Sequence, residues 1–388
     1  MDACDSEAFL FSKSRHIAAI TERLGARAIA PGLLGCVASL PGVAPASTAA
    51  DVVRVERRAL AMGTRVEIAV EAEGRGRVVA ASEAALDAVS DAERRLSTWR
   101  DDSELVRLNS AEVGSWVPLS PVTAHELSEA VAWADATGGA FDPTVGALVR
   151  AWDLRGGGRV PGEHELRTVR RGVGHAGLEV SAGAARRIVD GVVVEEGGFG
   201  KGAALRAAMA AARAAGARCV RVDLGGQWAV SGSCEPMVLS VAHPDLRDTP
   251  IASFAWIGGS VATSGHSERT LTVHGSTVGH LLDPRTGRPA PDRGSVTVLA
   301  DDPLAADAVA TALAVMGPEE GLRWLRCDAP AGVEAAFAIA SPDGHLRLVA
   351  TEALGSVLRP ADGVEVQIVD RSLAIRCSPP PAGPGAIR

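Results

Sequence analysis

The sequence predicts an α+β fold in which mixed, largely antiparallel sheets pack against helices. Three observations carry this expectation. Strand-like and helix-like segments are interspersed without the strict alternation of a doubly wound sheet. The long stretch from Leu224 to Ala300 reads as strands and turns, with no convincing helix. No internal repeat and no linker divides the body of the 388-residue chain.

Composition fits a packed, water-soluble body. Hydrophobic residues make up 47% and charged residues 22%, a globular rather than disordered balance. Aromatics are only 3%, with no Tyr, so the core must be built from Ala, Val and Leu around seven Trp. A net charge of −8 argues against nucleic acid as the main partner, because phosphate binding needs clustered Lys and Arg. Lysines are so few that Lys13, in the leader, and Lys201, in a glycine-rich loop, stand out. The six cysteines show no CxxC or metal-finger spacing, so neither a structural zinc site nor a disulfide framework is expected.

The first fifty residues read as a targeting segment. Arg15, Arg23 and Arg27 precede an apolar stretch from Ala28 to Val43, and Ala44-Pro45-Ala46 fits an A-x-A cleavage pattern. Two alternatives stand beside it. Leu33-Leu34-Gly35-Cys36 would offer Cys36 for lipid attachment and membrane anchoring, or the segment is a disordered extension. No later run reaches the roughly 18 apolar residues of a membrane helix.

The body begins near Asp51. Val53 to Ala72 reads as two strands around Met62-Gly63-Thr64, with alternation in Val66-Glu67-Ile68-Ala69-Val70. Arg77 to Leu96 reads as a helix with Val79, Leu86, Val89 and Leu96 on one stripe. Thr123 and Glu126 form a capping-box pattern for a second helix that stops at Gly138-Gly139. Ile188 to Glu195 is a strand, Lys201 to Ala215 an alanine-rich helix closed by Gly216, and Cys219 to Leu224 another strand. Leu304 to Met316 is a helix ending at Gly317, after which Pro318 opens a shorter one. The body is placed at residues 51–360, followed by a loose, partly disordered extension over 361–388 that contains Pro379-Pro380-Pro381.

Four segments can carry chemistry. In Glu195-Glu196-Gly197-Gly198-Phe199-Gly200-Lys201-Gly202, glycines let backbone approach a ligand, and the following helix start offers N–H groups to a phosphate. The order of residues excludes a Walker A loop. Gly198-x-Gly200-x-x-Ala203 with Asp223 downstream is also a loose dinucleotide fingerprint, and a tight ligand-free turn is the plain alternative. Asp307 and Thr311, four apart, share one helical face and offer hard oxygens suited to Mg²⁺. Alternatively, they are an exposed acid and a threonine bonding back to its own helix. In His280 to Pro289 a turn brings an imidazole near an acid, so His280 could accept a proton, or the segment is only a turn. In Gly139 to Val145, Asp142 is a turn former or a ligand contact.

Taken together and in this order, these segments resemble the ApbE family of FAD:protein FMN transferases. The similarity runs from about Arg58 to Leu325. It is carried by Met62-Gly63-Thr64, Leu96-Ser97-Thr98-Trp99-Arg100, Asp102-Ser103-Glu104-Leu105 and Ala140-Phe141-Asp142-Pro143-Thr144. It continues through the Gly197 to Gly202 loop, Asp223-Leu224-Gly225-Gly226, Val261-Ala262-Thr263-Ser264-Gly265, His280 to Pro289 and Ala306 to Thr311.

The resemblance implies a T-fold-like α+β domain with FAD in a central cleft and Mg²⁺ at its pyrophosphate. It implies Asp307, Thr311 and the Gly198 carbonyl as metal ligands, and His280 with Asp307 as catalytic residues. Met62, Trp99, Ala140, Phe141, Asp142, Glu195, Lys201 and Leu282 fall at flavin-nucleotide contact positions. The implied activity cleaves FAD, attaches FMN through a phosphoester to a Thr or Ser of an acceptor protein, and releases AMP. The implied acceptors are FMN-binding domains of membrane redox complexes or reductases, which agrees with an exported protein in the periplasm or on the outer face of the cytoplasmic membrane. Two departures stand out: Glu195 replaces the usual Asp, and His266-Ser267-Glu268 follows Thr-Ser-Gly. Competing readings are an FAD pyrophosphatase, a noncatalytic FAD-binding protein, and a nicotinamide dehydrogenase built on the Gly198 fingerprint.

Overall fold

A computed structural model describes residues 51–266, 270–273, 276–341 and 343–370, and the expected leader lies outside the described residues. Nine strands form one sheet, and they lie side by side in the order in which the chain supplies them. They are β1 (Val52–Ala61), β2 (Thr64–Glu73), β3 (Cys219–Leu224), β4 (Gln227–Gly232) and β5 (Gly259–Gly265), then β6 (Ser295–Ala300), β7 (Glu334–Ala340), β8 (Leu346–Thr351) and β9 (Val364–Val369). Every neighbouring pair is antiparallel except β8 and β9. The expected mixed, largely antiparallel α+β architecture is what the chain adopts.

Period-two patterning decides which layer each strand faces. In β2, Val66, Ile68, Val70 and Ala72 are buried while the residues between them are more exposed. This face meets α1 (Arg75–Leu96), whose buried stripe is Val78, Ala81, Ala85, Val89, Ala92 and Leu96. The expected stripe was centred too far round: Val79 and Leu86 are only partly buried at its rim. After the helices α2 (Glu104–Ser110), α3 (Pro121–Ala136), α4 (Gly146–Ala151) and α5 (Glu163–Arg170), alanines on this face let α6 (Gly200–Ala214) pack against the same sheet half through Ala204, Leu205, Ala208 and Ala212.

The other half of the sheet is buried on both faces. Ala262, Val296, Val298, Ala335 and Phe337 point to a core shared with α7 (Pro303–Cys327). Their alternates Val261, Ala336 and Ala338 face a second core formed with the strands Met237–Ala242 and Pro250–Trp256.

Several expectations are corrected. The helix Pro121–Ala136 is capped by Ser120, whose hydroxyl accepts the Thr123 N–H, with Pro121 at its first position. Thr123 and Glu126 do not form a capping box; they bond the buried Arg95 guanidinium at 2.8 and 2.7 Å. A buried cation needs such partners more than a helix start does. Residues 188–195 are not a strand: Ala184–Arg187 takes the ladder with Leu178–Ser181, and beyond it only Val193 bridges, to Val145.

The chain after Pro360 is not loose throughout, because Val364–Val369 closes the sheet beside β8. Residues 371–388 lie outside the described residues. Cys219 and Cys234 form a disulfide across the β3–β4 hairpin, a pairing that sequence spacing did not reveal. Cys327 is also disulfide-bonded.

The fold positions the cleft through one close approach. A Cβ on Gly202, in the first turn of α6, would stand 2.3 Å from the Pro303 carbonyl oxygen and 2.6 Å from the Leu304 Cα. Only glycine lets the starts of α6 and α7 meet there. Gly202→Ala is expected to force the two helices apart and to lower stability by roughly 1–3 kcal/mol. Urea denaturation measures this, and an unchanged midpoint would contradict the packing described.

Candidate functional site

All twelve residues singled out from the sequence line one cleft of about 740 Å³. They are Met62, Trp99, Ala140, Phe141, Asp142, Glu195, Gly198, Lys201, His280, Leu282, Asp307 and Thr311. The volume falls in the range of small-molecule and cofactor sites, about 300–1,000 Å³.

One wall is the start of α6. This helix has no capping side chain of its own. Asp307, reaching across from α7, supplies the missing oxygen: its Oδ2 accepts the Gly202 N–H at 2.9 Å. Its Oδ1 lies 3.7 Å from the Lys201 Nζ. Asp307 is therefore not the exposed acid of the plainer reading; it is 3% exposed.

Thr311, one turn further along α7, does not bond back to its own helix, and its hydroxyl has no hydrogen bond among the described residues. That hydroxyl lies 3.2 Å from where a Cβ on Gly198 would stand. A carboxylate oxygen, a free hydroxyl and the Gly198 backbone thus converge. Among the described residues no group of three or more His, Cys, Asp and Glu could hold a metal. A donor set this sparse suits Mg²⁺, which draws on waters and ligand phosphates for its remaining positions.

The loop before α6 is held from two sides. Met62 adopts a left-handed conformation, φ 51°, in the β1–β2 turn, where Glu93 accepts its N–H at 2.9 Å. Its Cε lies 3.1 Å from the position of a Cβ on Gly200. On the other side, Glu196 accepts the Thr98 N–H at 3.1 Å and the Thr98 hydroxyl at 2.5 Å. Burial raises the Glu196 pKa above the usual carboxylate value, and the neighbouring Glu195 charge adds to the rise. Glu195 itself pairs with Arg155 at 2.5 Å.

Asp142 lines the cleft, yet its carboxylate is committed to its own surroundings. Oδ1 accepts the Thr144 N–H and hydroxyl at 2.8 and 2.6 Å. Oδ2 accepts the His175 N–H at 2.8 Å and lies 3.2 Å from its Nδ1. It therefore shapes the loop that presents Ala140 and Phe141. The hydrogen bond that His175 donates to Asp142 raises the His175 pKa, burial opposes it, and the Asp142 and Asp135 charges add to the rise.

His280 lines the cleft before the short hairpin of Leu282–Asp283 and Arg288–Pro289. The acid of this turn, Asp283, is engaged by Arg285. The Asp283 Oδ1 accepts the Arg285 N–H and Nε at 2.9 and 3.0 Å. Leu282 packs with Leu148, Trp152, Leu154 and Leu166, and the Trp152 indole donates to the Gly287 carbonyl at 2.8 Å.

Asp223 is likewise no ribose acid. It stands opposite Glu67 in the antiparallel sheet and accepts the Gly226 N–H at 2.7 Å within the β3–β4 hairpin. With no parallel strand pair flanking α6, the dinucleotide fingerprint lacks its βαβ context. Sequence reading missed Glu93, Thr98, Arg155, His175 and Glu196. Only Glu196 and Thr98 lay inside quoted motifs, and nothing local marked the other three.

The ApbE family model matches residues 62–337. The chain belongs to the ApbE family. A FAD:protein FMN transferase of Vibrio cholerae serotype O1 is 30% identical over 245 residues, covering 61% of this chain and 72% of that one. The FAD:protein FMN transferase of Treponema pallidum is 30% identical over 348 residues, covering 81% and 92%. Among solved structures, the ApbE protein of Thermotoga maritima superposes with a TM-score of 0.69 at 29% identity, over 76% of this chain and 96% of that one.

The His175 pair gives the site a pH signature. A folded pKa above the ordinary 6.5 contributes stability that is full below that value and lost as pH rises through the folded pKa. The melting temperature of His175→Gln should fall short of the parent by roughly 2 °C near pH 6, and the gap should close toward pH 9. Thermal melts across that range check it, and a gap independent of pH would remove the ion pair.

Proposed function

We propose that this chain is a magnesium-dependent FAD:protein FMN transferase. The observation that carries the reading is the convergence of Asp307, Thr311, Gly198 and Lys201 at the start of α6, in a cleft also lined by His280. The names of its relatives support the same activity.

The residues divide the work by chemistry. The start of α6 and Lys201 hold the FAD pyrophosphate, through N–H groups, the helix dipole and a full positive charge. Asp307, Thr311 and Gly198 would hold magnesium, which when bound neutralises charge on the phosphates. A Thr or Ser hydroxyl of the acceptor attacks the FMN phosphorus, the P–O bond to the AMP phosphate breaks, and AMP leaves. His280 accepts the hydroxyl proton. Met62, Ala140, Phe141, Trp99 and Leu282 shape the apolar walls around the ring systems. No nucleophile from this chain is required, so positioning and charge stabilisation suffice.

The reading extends to an exported protein acting on FMN-binding domains of membrane redox complexes or reductases, with Cys36 as a lipid anchor. The Cys219–Cys234 disulfide supports this location, since such bonds persist in oxidising compartments. Alkylation trapping of the protein in intact cells should find both thiols blocked; free thiols in the mature protein would argue against export.

The activity is tested by incubating the purified chain with FAD, Mg²⁺ and an acceptor domain carrying a Thr. In-gel flavin fluorescence and AMP release are followed together, and both should vanish with EDTA. Asp307→Asn retains an oxygen for the Gly202 N–H but loses the charge, so the fold should persist while transfer drops about 100-fold or more. His280→Ala should lower transfer by about 100-fold or more. AMP without labelled acceptor would reassign the site to hydrolysis, and a full rate in Asp307→Asn would refute the metal assignment.

A further inference from the structure

Three segments of the cleft wall meet at one guanidinium. Arg155 lies just beyond the helix Gly146–Ala151. Its Nη1 donates to the Thr98 carbonyl at 2.8 Å, and its Nη2 donates to the Glu195 Oε1 and Oε2 at 2.8 and 2.5 Å and to the Thr98 hydroxyl. The same group lies 4.5 Å from the centroid of the Trp99 ring. Arg155, Trp99, Glu195 and Glu196 all line the cleft.

Two physical needs meet here. Trp99 is 59% exposed, so packing alone does little to fix its ring. The guanidinium covers one face through a cation–π contact and leaves the rest of the indole to the cleft. Next to it, Glu195 and Glu196 place two acids in a cleft that the proposed reaction fills with an anionic pyrophosphate. Arg155 offsets the Glu195 charge and, through the hydrogen bonds of Thr98, clamps the Trp99 turn to the glycine-rich loop.

We propose that Arg155 is a positioning residue for FAD, fixing Trp99 as the platform on which a ring of FAD stacks and neutralising Glu195 beside it. This inference rests on the proposed function for the identity of the ligand. No atom of Arg155 need touch the reacting phosphorus, so its effect belongs to binding rather than to the chemical step.

The test is FAD binding, read as quenching of flavin fluorescence in the presence of Mg²⁺ and without acceptor. Arg155→Ala should raise the Kd for FAD about tenfold, and Arg155→Lys, which keeps the charge but not the planar stack, should fall between. In a Trp99→Ala, Glu195→Gln background the same Arg155→Ala change should alter Kd by less than about twofold, because its two targets are gone. At saturating FAD the transfer rate should stay within about twofold of the parent.

Circular dichroism checks folding, and Arg155→Met, which keeps the aliphatic stem, replaces the alanine variant if that one does not fold. An Arg155→Ala Kd within twofold of the parent, or the same loss in both backgrounds, overturns the proposal while the parent still binds FAD. A parent chain that binds no FAD overturns the proposed function and this inference with it.

Discussion

The bond from the Gly202 N–H to Asp307 is the interaction on which the site depends. It joins the start of α6 to α7 at a distance only glycine permits, and it gives a helix without a cap the oxygen it lacks. The same contact fixes the direction of Asp307, so that its second oxygen is left near Lys201 rather than buried against backbone. Thr311, one turn on, is carried into place by the helix repeat. Its hydroxyl reaches Gly198 because that residue has no side chain to fill the space. Packing and prospective chemistry are thus one arrangement.

The sheet supplies the rigidity that this arrangement needs. α1 and α6 rest on β1 to β4, while α7 rests on the half that is covered on both faces. An alanine-rich composition, which could look like a weak core, is what lets α1, α6 and their strands approach closely. Large side chains do their work elsewhere: Phe199 is fully buried beneath the glycine-rich loop, and Trp152 ties the helix before Arg155 to the turn after His280.

Legibility in the sequence followed how local each determinant was. The β1–β2 turn, the helix start after the glycine-rich loop and the Asp307/Thr311 spacing are each written within a few residues and were legible as structure, whereas the strand expected before that loop does not form. The kink at Gly317 was legible for the same reason, since a glycine at φ 73° followed by Pro318 breaks a helix locally. Thr123 and Glu126 misled because Arg95, about thirty residues away, claims them. β9 was hidden because it follows Pro360 and the Asp362-Gly363 turn and gains its place only by pairing with β8. Arg155 was invisible, because a lone arginine before three glycines acquires meaning only when folding sets Trp99 and Glu195 beside it.

The charges of the cleft complete the picture. Five acids line it, an unpromising count for a site that would receive phosphates. Yet none of them is left bare. Asp142 is bonded by His175 and Thr144, Glu195 faces Arg155, Asp307 faces Lys201 and the Gly202 N–H, and Glu93 accepts the Met62 N–H. Glu196 is bonded by Thr98, and its raised pKa favours the neutral form relative to an ordinary carboxylate. Each acid is therefore used to hold a wall in position, and its negative charge is offset where it stands. A cleft built this way gains stiffness from buried carboxylates without presenting uncompensated charge to an anion, and the helix start with Lys201 remains its positive end.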